Sequence, residues 1–381
     1  MSIPAQGATA GTWVPARDFA AQNGIINWNT ISPRIGFAWD VFGDGETAVK
    51  GGVSRYDRLE GITIIQPLNQ RNIAYQLCPW SDSNNDLRAQ VNEIARDRCS
   101  MSLQPTLGNV DPGLQRPHQW EYTAMVQRQV GKNTSVSVGY YGRQFGDLYT
   151  TVNAAVPSSA YVPVTITNPL TNAPLTVYNQ DPATRGQVRN VVATIPDLRQ
   201  LYNGVEFQMN TRLTKATIFG GLTIGRDHGD QDSNDLNNPN FRINNDGAIG
   251  FDSTYQIRGG FTYRMPYELQ FSGSIREATG LPQTRTFPVT TSIVPGLTQV
   301  TQNVQVAPRG DFRYPWQNLV DLRFTKVFKS GRTRVEPTID VFNVFNDNAV
   351  TNAVTTIGSS LGRPSAIVMG RLLRVGGHIT F

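Results

Sequence analysis

The feature that most narrows the fold is a two-residue alternation of apolar and polar side chains, which recurs in pairs of segments along the chain. In 204–212 (GVEFQMNTR), Val205, Phe207, Met209 and Thr211 point to one side, and Glu206, Gln208, Asn210 and Arg212 to the other. A period of two is the signature of a strand with one apolar and one polar face. After a break at 213–215 the pattern resumes over 216–225, with Ile218, Gly220, Leu222 and Ile224 on the apolar stripe. The same paired unit occurs at 33–41 with 48–56, 119–130 with 134–143, 255–265 with 268–277, and 318–329 with 332–342. A last segment, 371–381, alternates Leu373, Val375, Gly377, Ile379 and Phe381. These are about eleven strands of about ten residues, the length a tilted strand needs to cross a bilayer.

The connections sharpen the choice of fold. Five are turns of about two to six residues, whereas 57–118, 144–202, 226–254, 278–317 and 343–370 are long. Compact soluble domains rarely carry several such loops. Short turns on one rim and long loops on the other are the pattern of transmembrane barrels. The expected fold class is therefore all-β, an antiparallel transmembrane β-barrel. Composition agrees: 39% apolar and 17% charged residues with 35 Gly and 23 Pro disfavour a helical bundle, and no run of 18 apolar residues exists for a spanning helix. Glu206, Arg212, Arg276, Asp321, Arg323, Arg334, Glu336 and Asp340 lie on polar stripes, where a water-filled lumen spares them the cost of burial. Trp120 and Trp316 suit headgroup depth at the loop-side ends of strands, and Tyr140, Tyr263, Phe324 and Phe381 suit lipid-facing or girdle positions. The loop residues Tyr149, Tyr161 and Tyr178 are open to either a structural or a ligand-stacking role.

Catalytic and cofactor motifs are not found. The net charge of +5 is not gathered into a basic patch, which argues against nucleic acid. His118, His228 and His378 are far apart, without ligand spacing. Asp230, Asp232 and Asn234 open like a calcium loop, but Asp235 takes the glycine position and Phe241 the position of the bidentate Glu. A weak cation site within 226–254 stays open. Gly43-Asp44-Gly45 reads as hairpin punctuation, since no helix follows it. No enzyme activity and no cofactor are expected. Cys78 and Cys99 fall in one long loop; on the oxidising side of a cell they are expected to form a disulfide.

Several strand texts carry a family resemblance. They are 32–56 (SPRIGFAWDVFGDGETAVKGGVSRY), 119–142 (QWEYTAMVQRQVGKNTSVSVGYYG), 278–284 (ATGLPQT), 335–348 (VEPTIDVFNVFNDN) and the terminal RLLRVGGHITF. The chain resembles the C-terminal barrel of TonB-dependent outer-membrane receptors, most of all the Oar-like branch. The resemblance implies an outer-membrane location and uptake of a bulky nutrient such as a siderophore, vitamin, oligosaccharide or peptide. It also implies a barrel of about twenty-two strands around an N-terminal plug on which a TonB-type energy transducer pulls. Outer-membrane lipid and the barrel-assembly machinery are further implied partners, the latter reading the terminal strand Leu373, Val375, Ile379 and Phe381. Within the chain no plug, transducer box or signal peptide is recognisable, so 1–32 is expected to be a loop remnant or irregular segment and 33–381 the C-terminal part of such a barrel. Strand parity points the same way, because eleven strands would close with a parallel seam and single-chain bacterial barrels close antiparallel. The competing reading is a soluble or surface-attached β-rich binding or adhesion module.

Overall fold

A computed structural model describes residues 2–8, 17–61, 64–65, 68, 76–95, 100–101, 109–230, 235–250 and 252–381. Eleven strands lie side by side in chain order in one antiparallel sheet. They are β1 (Arg34–Asp40), β2 (Thr47–Asp57), β3 (His118–Val130), β4 (Thr134–Gly146), β5 (Gln200–Arg212), β6 (Ala216–Asp230), β7 (Tyr255–Met265), β8 (Leu269–Ala278), β9 (Gln317–Lys326), β10 (Thr333–Phe342) and β11 (Leu372–Thr380). Each expected segment is present. The strands at the long-loop end run further than the alternation alone suggests, β6 by five residues beyond 225. Phe381 follows β11 rather than ending it.

The short turns have local causes. Between β1 and β2 the Asp40 carboxylate accepts from the backbone N–H groups of Gly43 (3.1 Å) and Gly45 (2.8 Å). Both glycines have positive φ, +73° and +76°, which a side chain would oppose. Between β7 and β8 the turn includes Glu268, expected to begin the strand. Tyr267 and Glu268 have φ of 63° and 58°, as a tight hairpin turn matching strand twist requires, and Lys329 Nζ sits 3.0 Å from Glu268 Oε1.

Directly paired residues share a face, so the register carries one apolar surface across the sheet. Val49, Val126, Val138, Phe207, Leu222 and Ile257 are successive partners from β2 to β7. Tyr263, Phe271, Phe324, Ile339 and Val375 continue it to β11. This face is not covered: Ile35 is 77% exposed, Phe207 46%, Ile339 50% and Val375 74%. Burying a side chain of this size is worth about 1.5–3 kcal/mol relative to water, so an apolar wall of this extent belongs in hydrocarbon.

The buried core lies instead in the long connections, which are far from structureless. The hairpin Tyr161–Thr167 with Pro174–Gln180 and the hairpin Pro282–Thr290 with Thr301–Arg313 come from different connections. They bury Ile166, Val177, Val289, Val304 and Val306 together. A second cluster joins Ile26 to Ile64, Leu68, Val110, Leu114 and Val192, and Trp28 Nε1 donates to the Leu114 carbonyl at 2.8 Å. The segment before β1 thus packs into this loop lobe.

β1 and β11 are the two edges of the sheet. Both run from the long-loop end to the short-turn end, so their direct union would be parallel.

Candidate functional site: the polar wall and the loop lobe

The face opposite the apolar one is polar from β1 to β11. Glu206, Arg212, Arg276, Asp321, Arg323, Arg334, Glu336 and Asp340 all lie on it, because each is paired in the register opposite the apolar set. Three of them meet. Asp321, Arg323 and Asp340 line a hollow of about 440 Å³ together with Phe219, Thr262, Gln270, Ser272 and Ser274. Asp340, 2% exposed, accepts from Arg323 Nε at 2.5 Å and from Arg374 Nε at 2.8 Å, so one carboxylate ties β9, β10 and β11. Asp321 accepts from the backbone N–H of Asn343 at 2.9 Å. Asn343 in turn donates to the carbonyls of Asp347 (2.9 Å) and Met369 (2.7 Å). The FNVFN text is therefore a junction that locks the end of β10 and the start of β11 to the wall.

The remaining five stand elsewhere on the same face. Arg334 pairs with Glu336 along β10. Glu206 accepts from Gln208 Nε2 at 3.2 Å and borders a second hollow with Tyr202, Thr223 and Arg258. Arg212 borders a third with Gln129, Lys132 and Asn210. Arg276 lies directly opposite Arg258, a like-charge pair that only a hydrated surface tolerates cheaply. Arg143 on the same face pairs with Glu121 at 3.0 Å. Such a wall suits passage of a polar solute or contact with a polar protein surface.

Phe219 is the member that sequence reading missed. It lies on the polar face, is 54% exposed and borders all three hollows. A Cβ on Gly260, directly opposite, would come within 2.8 Å of its ring, so a side chain there would push the phenyl aside. The signal was parity, since Phe219 falls between Ile218 and Gly220 of the apolar stripe.

The loop lobe is stitched by side-chain amides. Asn240, 1% exposed, accepts from the Tyr178 N–H and donates to the Tyr178 carbonyl, both at 2.8 Å. Gln299 Nε2 donates to the same carbonyl at 3.0 Å, and Thr298 N–H donates to Asn179 Oδ1 at 2.8 Å. Tyr149 bonds Glu60 (2.9 Å) and Arg58 (3.0 Å). Burial, then the hydrogen bond to Glu60, raise its phenol above the ordinary tyrosine value. Burial, then the charge of Asp235, push the Tyr161 phenol up to about 12.

The histidines do not assemble. His118 Nδ1 lies 3.1 Å from Asp147 and His228 Nε2 3.1 Å from Asp246, while His378 is opposite Glu336 on the polar face. Asp230 accepts from the Arg199 N–H at 3.2 Å; Asp232 and Asn234 lie outside the described residues. Cys78 is disulfide-bonded, and Cys99 lies outside the described residues. Trp316 stacks on Tyr255 at 6.3 Å at the loop-side end of β7 and β9, and Trp120 lies on the apolar face opposite Arg55.

A family model described as outer membrane beta barrel domain matches residues 4–280. Among solved structures, the outer membrane transporter YddB from Escherichia coli is 12% identical with a TM-score of 0.53, over 96% of this chain and 42% of its own. The siderophore receptor PiuA from Acinetobacter baumannii is 9% identical with a TM-score of 0.50, over 99% of this chain and 39% of its own. The chain thus spans about two fifths of the length of these structures. At such identities the likeness is one of fold. No curated protein matches at the sequence level.

Proposed function

Because the chain belongs to the family of outer membrane beta barrel domains, we propose that it forms part of the wall of a TonB-dependent receptor that imports a bulky nutrient. It is a barrel of the outer membrane and not an enzyme. One observation carries the assignment to a membrane: an uncovered apolar face continuous over eleven strands, with the hydrophobic core displaced into the loops. A soluble β-module would bury that face between two sheets, so the adhesion-module reading has no support from the packing.

In this proposal the apolar face meets lipid and the polar face lines the lumen, with residues 33–381 as barrel and 1–32 as part of the loop region. The eight charged residues on the polar face keep the lumen hydrated. The edges β1 and β11 pair with further strands, odd in number, so that the wall closes antiparallel; about eleven would complete a barrel of twenty-two. A plug seated against the polar face would receive the pull of the transducer, and the assembly machinery would read β11 and Phe381. Siderophores head the list of ligands to test, since PiuA is a siderophore receptor; vitamins, oligosaccharides and peptides follow.

The test is growth of a strain lacking the gene on a panel of iron–siderophore complexes, vitamins and oligosaccharides, each as sole limiting source. Loss of growth on one of them, restored by the gene, supports import. Undiminished growth on all, with the protein present in the parent's outer membrane, contradicts it.

A further inference from the structure

The outward, apolar face carries a hollow of about 490 Å³ at its loop-side end. Leu201, Asn203, Ile224, Arg226, His228 and Tyr255 border it. All six lie on the outward face, because Leu201 pairs with His228, Asn203 with Arg226, and Ile224 with both Val205 and Tyr255. We propose that this hollow binds the phosphate of an anionic lipid of the outer leaflet. Arg226 and Asn203 are the donors to the phosphate, and Ile224 and Tyr255, on the short-turn side of them, are the wall for the first carbons of the chains. The proposal rests on the apolar face meeting lipid and adds to that a preference for one headgroup chemistry.

The hollow is a notch in the pairing of β6. Toward the short turns β6 pairs with β7 as far as Ile224 opposite Tyr255, and toward the loops it pairs with the segment Asp246–Ala248 from His228 onward. Arg226 falls between these two partners. Its chain neighbours are tied by the Gly225 N–H on the Thr254 carbonyl (2.9 Å) and by the Ile249 N–H on the Asp227 carbonyl (3.0 Å). The backbone is therefore satisfied on that side, while the Arg226 side chain faces a gap rather than a paired residue.

Charge and depth both select a phosphate. Arg226 is exposed, and among the described residues its guanidinium meets no carboxylate. The acidic groups of this rim are engaged elsewhere: Asp246 pairs with His228 at 3.1 Å and Asp230 accepts from the Arg199 N–H at 3.2 Å. Glu277, opposite Ile257 on the same face, does not border the hollow. A guanidinium presents paired N–H donors that match phosphate oxygens. Asn203 Oδ1 accepts from the Tyr140 hydroxyl at 2.6 Å, which fixes the amide with its NH₂ group left to donate. Tyr255 stacks on Trp316 at 6.3 Å, and outward rings of this kind mark headgroup depth. Arg226 lies two residues beyond Ile224, the partner of Tyr255. Strand rise and tilt put it about 5 Å nearer the loops along the membrane normal, at the level of lipid phosphates.

Lipid retention by the whole chain, read by native mass spectrometry, tests this. Detergent micelles are doped with equal amounts of phosphatidic acid, which carries a phosphomonoester, and phosphatidylcholine with the same chains. The expected result is a single phosphatidic acid retained in preference to phosphatidylcholine. The preference should fall about fivefold in Arg226→Gln, the share of one basic residue near a membrane surface. It should be unchanged in Arg264→Gln, which lies on the polar face opposite Gln270. Salt should weaken the preference in the unaltered chain, a readout that needs no variant, and excess inorganic phosphate should not displace the lipid, because it lacks the chains that Ile224 and Tyr255 hold. Equal retention of the two lipids, a preference that survives Arg226→Gln or is indifferent to salt, or displacement by inorganic phosphate would each overturn the site. These outcomes leave the lipid-facing wall standing, since oxygen accessibility of nitroxides at positions 205 and 207 reports on the wall separately. Water contact at both positions would remove wall and site together.

Discussion

Arg323 of β9 and Asp340 of β10 face each other directly across the sheet, with Nε 2.5 Å from Oδ1. The same carboxylate holds Arg374 of β11, so the last strand is fastened to the wall by its backbone ladder and by one buried anion shared between two half-exposed guanidiniums. Replacing Asp340 leaves both guanidiniums facing a neutral site. Asp340→Ala should cost about 1–3 kcal/mol, since the bonds are charge-assisted but the arginines are partly screened by water. Urea unfolding of the lipid-reconstituted protein reads this, and a variant as stable as the parent would remove Asp340 from its role as fastener.

The two faces of β5 should answer oppositely to charge. Phe207 lies between Val138 and Leu222 on the apolar face, and Gln208 between Ser137 and Gly221 on the polar one. Phe207→Arg should destabilise by about 2–4 kcal/mol if mid-bilayer, and Gln208→Arg should be nearly neutral. Folding titrations in vesicles measure both. Equal tolerance would mean that the faces are misassigned.

The strands were legible in the sequence because a period of two, repeated over nine or more residues and cut by Gly, Pro and polar turns, leaves little freedom of register. Val205, Phe207 and Met209 can only share a face. The loop lobe was not legible because its cores are made across connections. Val177 and Val304 are 127 residues apart and meet in one cluster, and nothing local to either announces the other. Phe219 escaped because alternation was read as a rule about stripes rather than residue by residue.

Asn240 should matter to the lobe and not to the wall. Its amide replaces a strand partner for Tyr178, so Asn240→Ala leaves the half-buried Tyr178 N–H without its acceptor, while Gln299 still serves the carbonyl, at about 1–3 kcal/mol. Hydrogen exchange should rise over 174–180 and 296–305 while β5 to β8 stay protected. Unchanged exchange in the lobe would show that the amide is dispensable.

The expected pairing of Cys78 with Cys99 would close a loop of about twenty residues, worth about 3 kcal/mol in the chain-entropy account. Non-reducing mass spectrometry should find the two cysteine peptides joined, and reduction should speed proteolysis of the β2–β3 connection. Two free thiols in the oxidised protein would end this assignment.

The central claim is that the apolar face meets lipid and the polar face meets water. Nitroxide labels placed one at a time at positions 204–211, with Cys78 and Cys99 replaced by Ser, test it in reconstituted bilayers. Accessibility to oxygen should peak at 205, 207 and 209, and accessibility to a water-soluble nickel chelate at 206, 208 and 210. Chelate access at every position, without a period of two, would contradict a membrane wall.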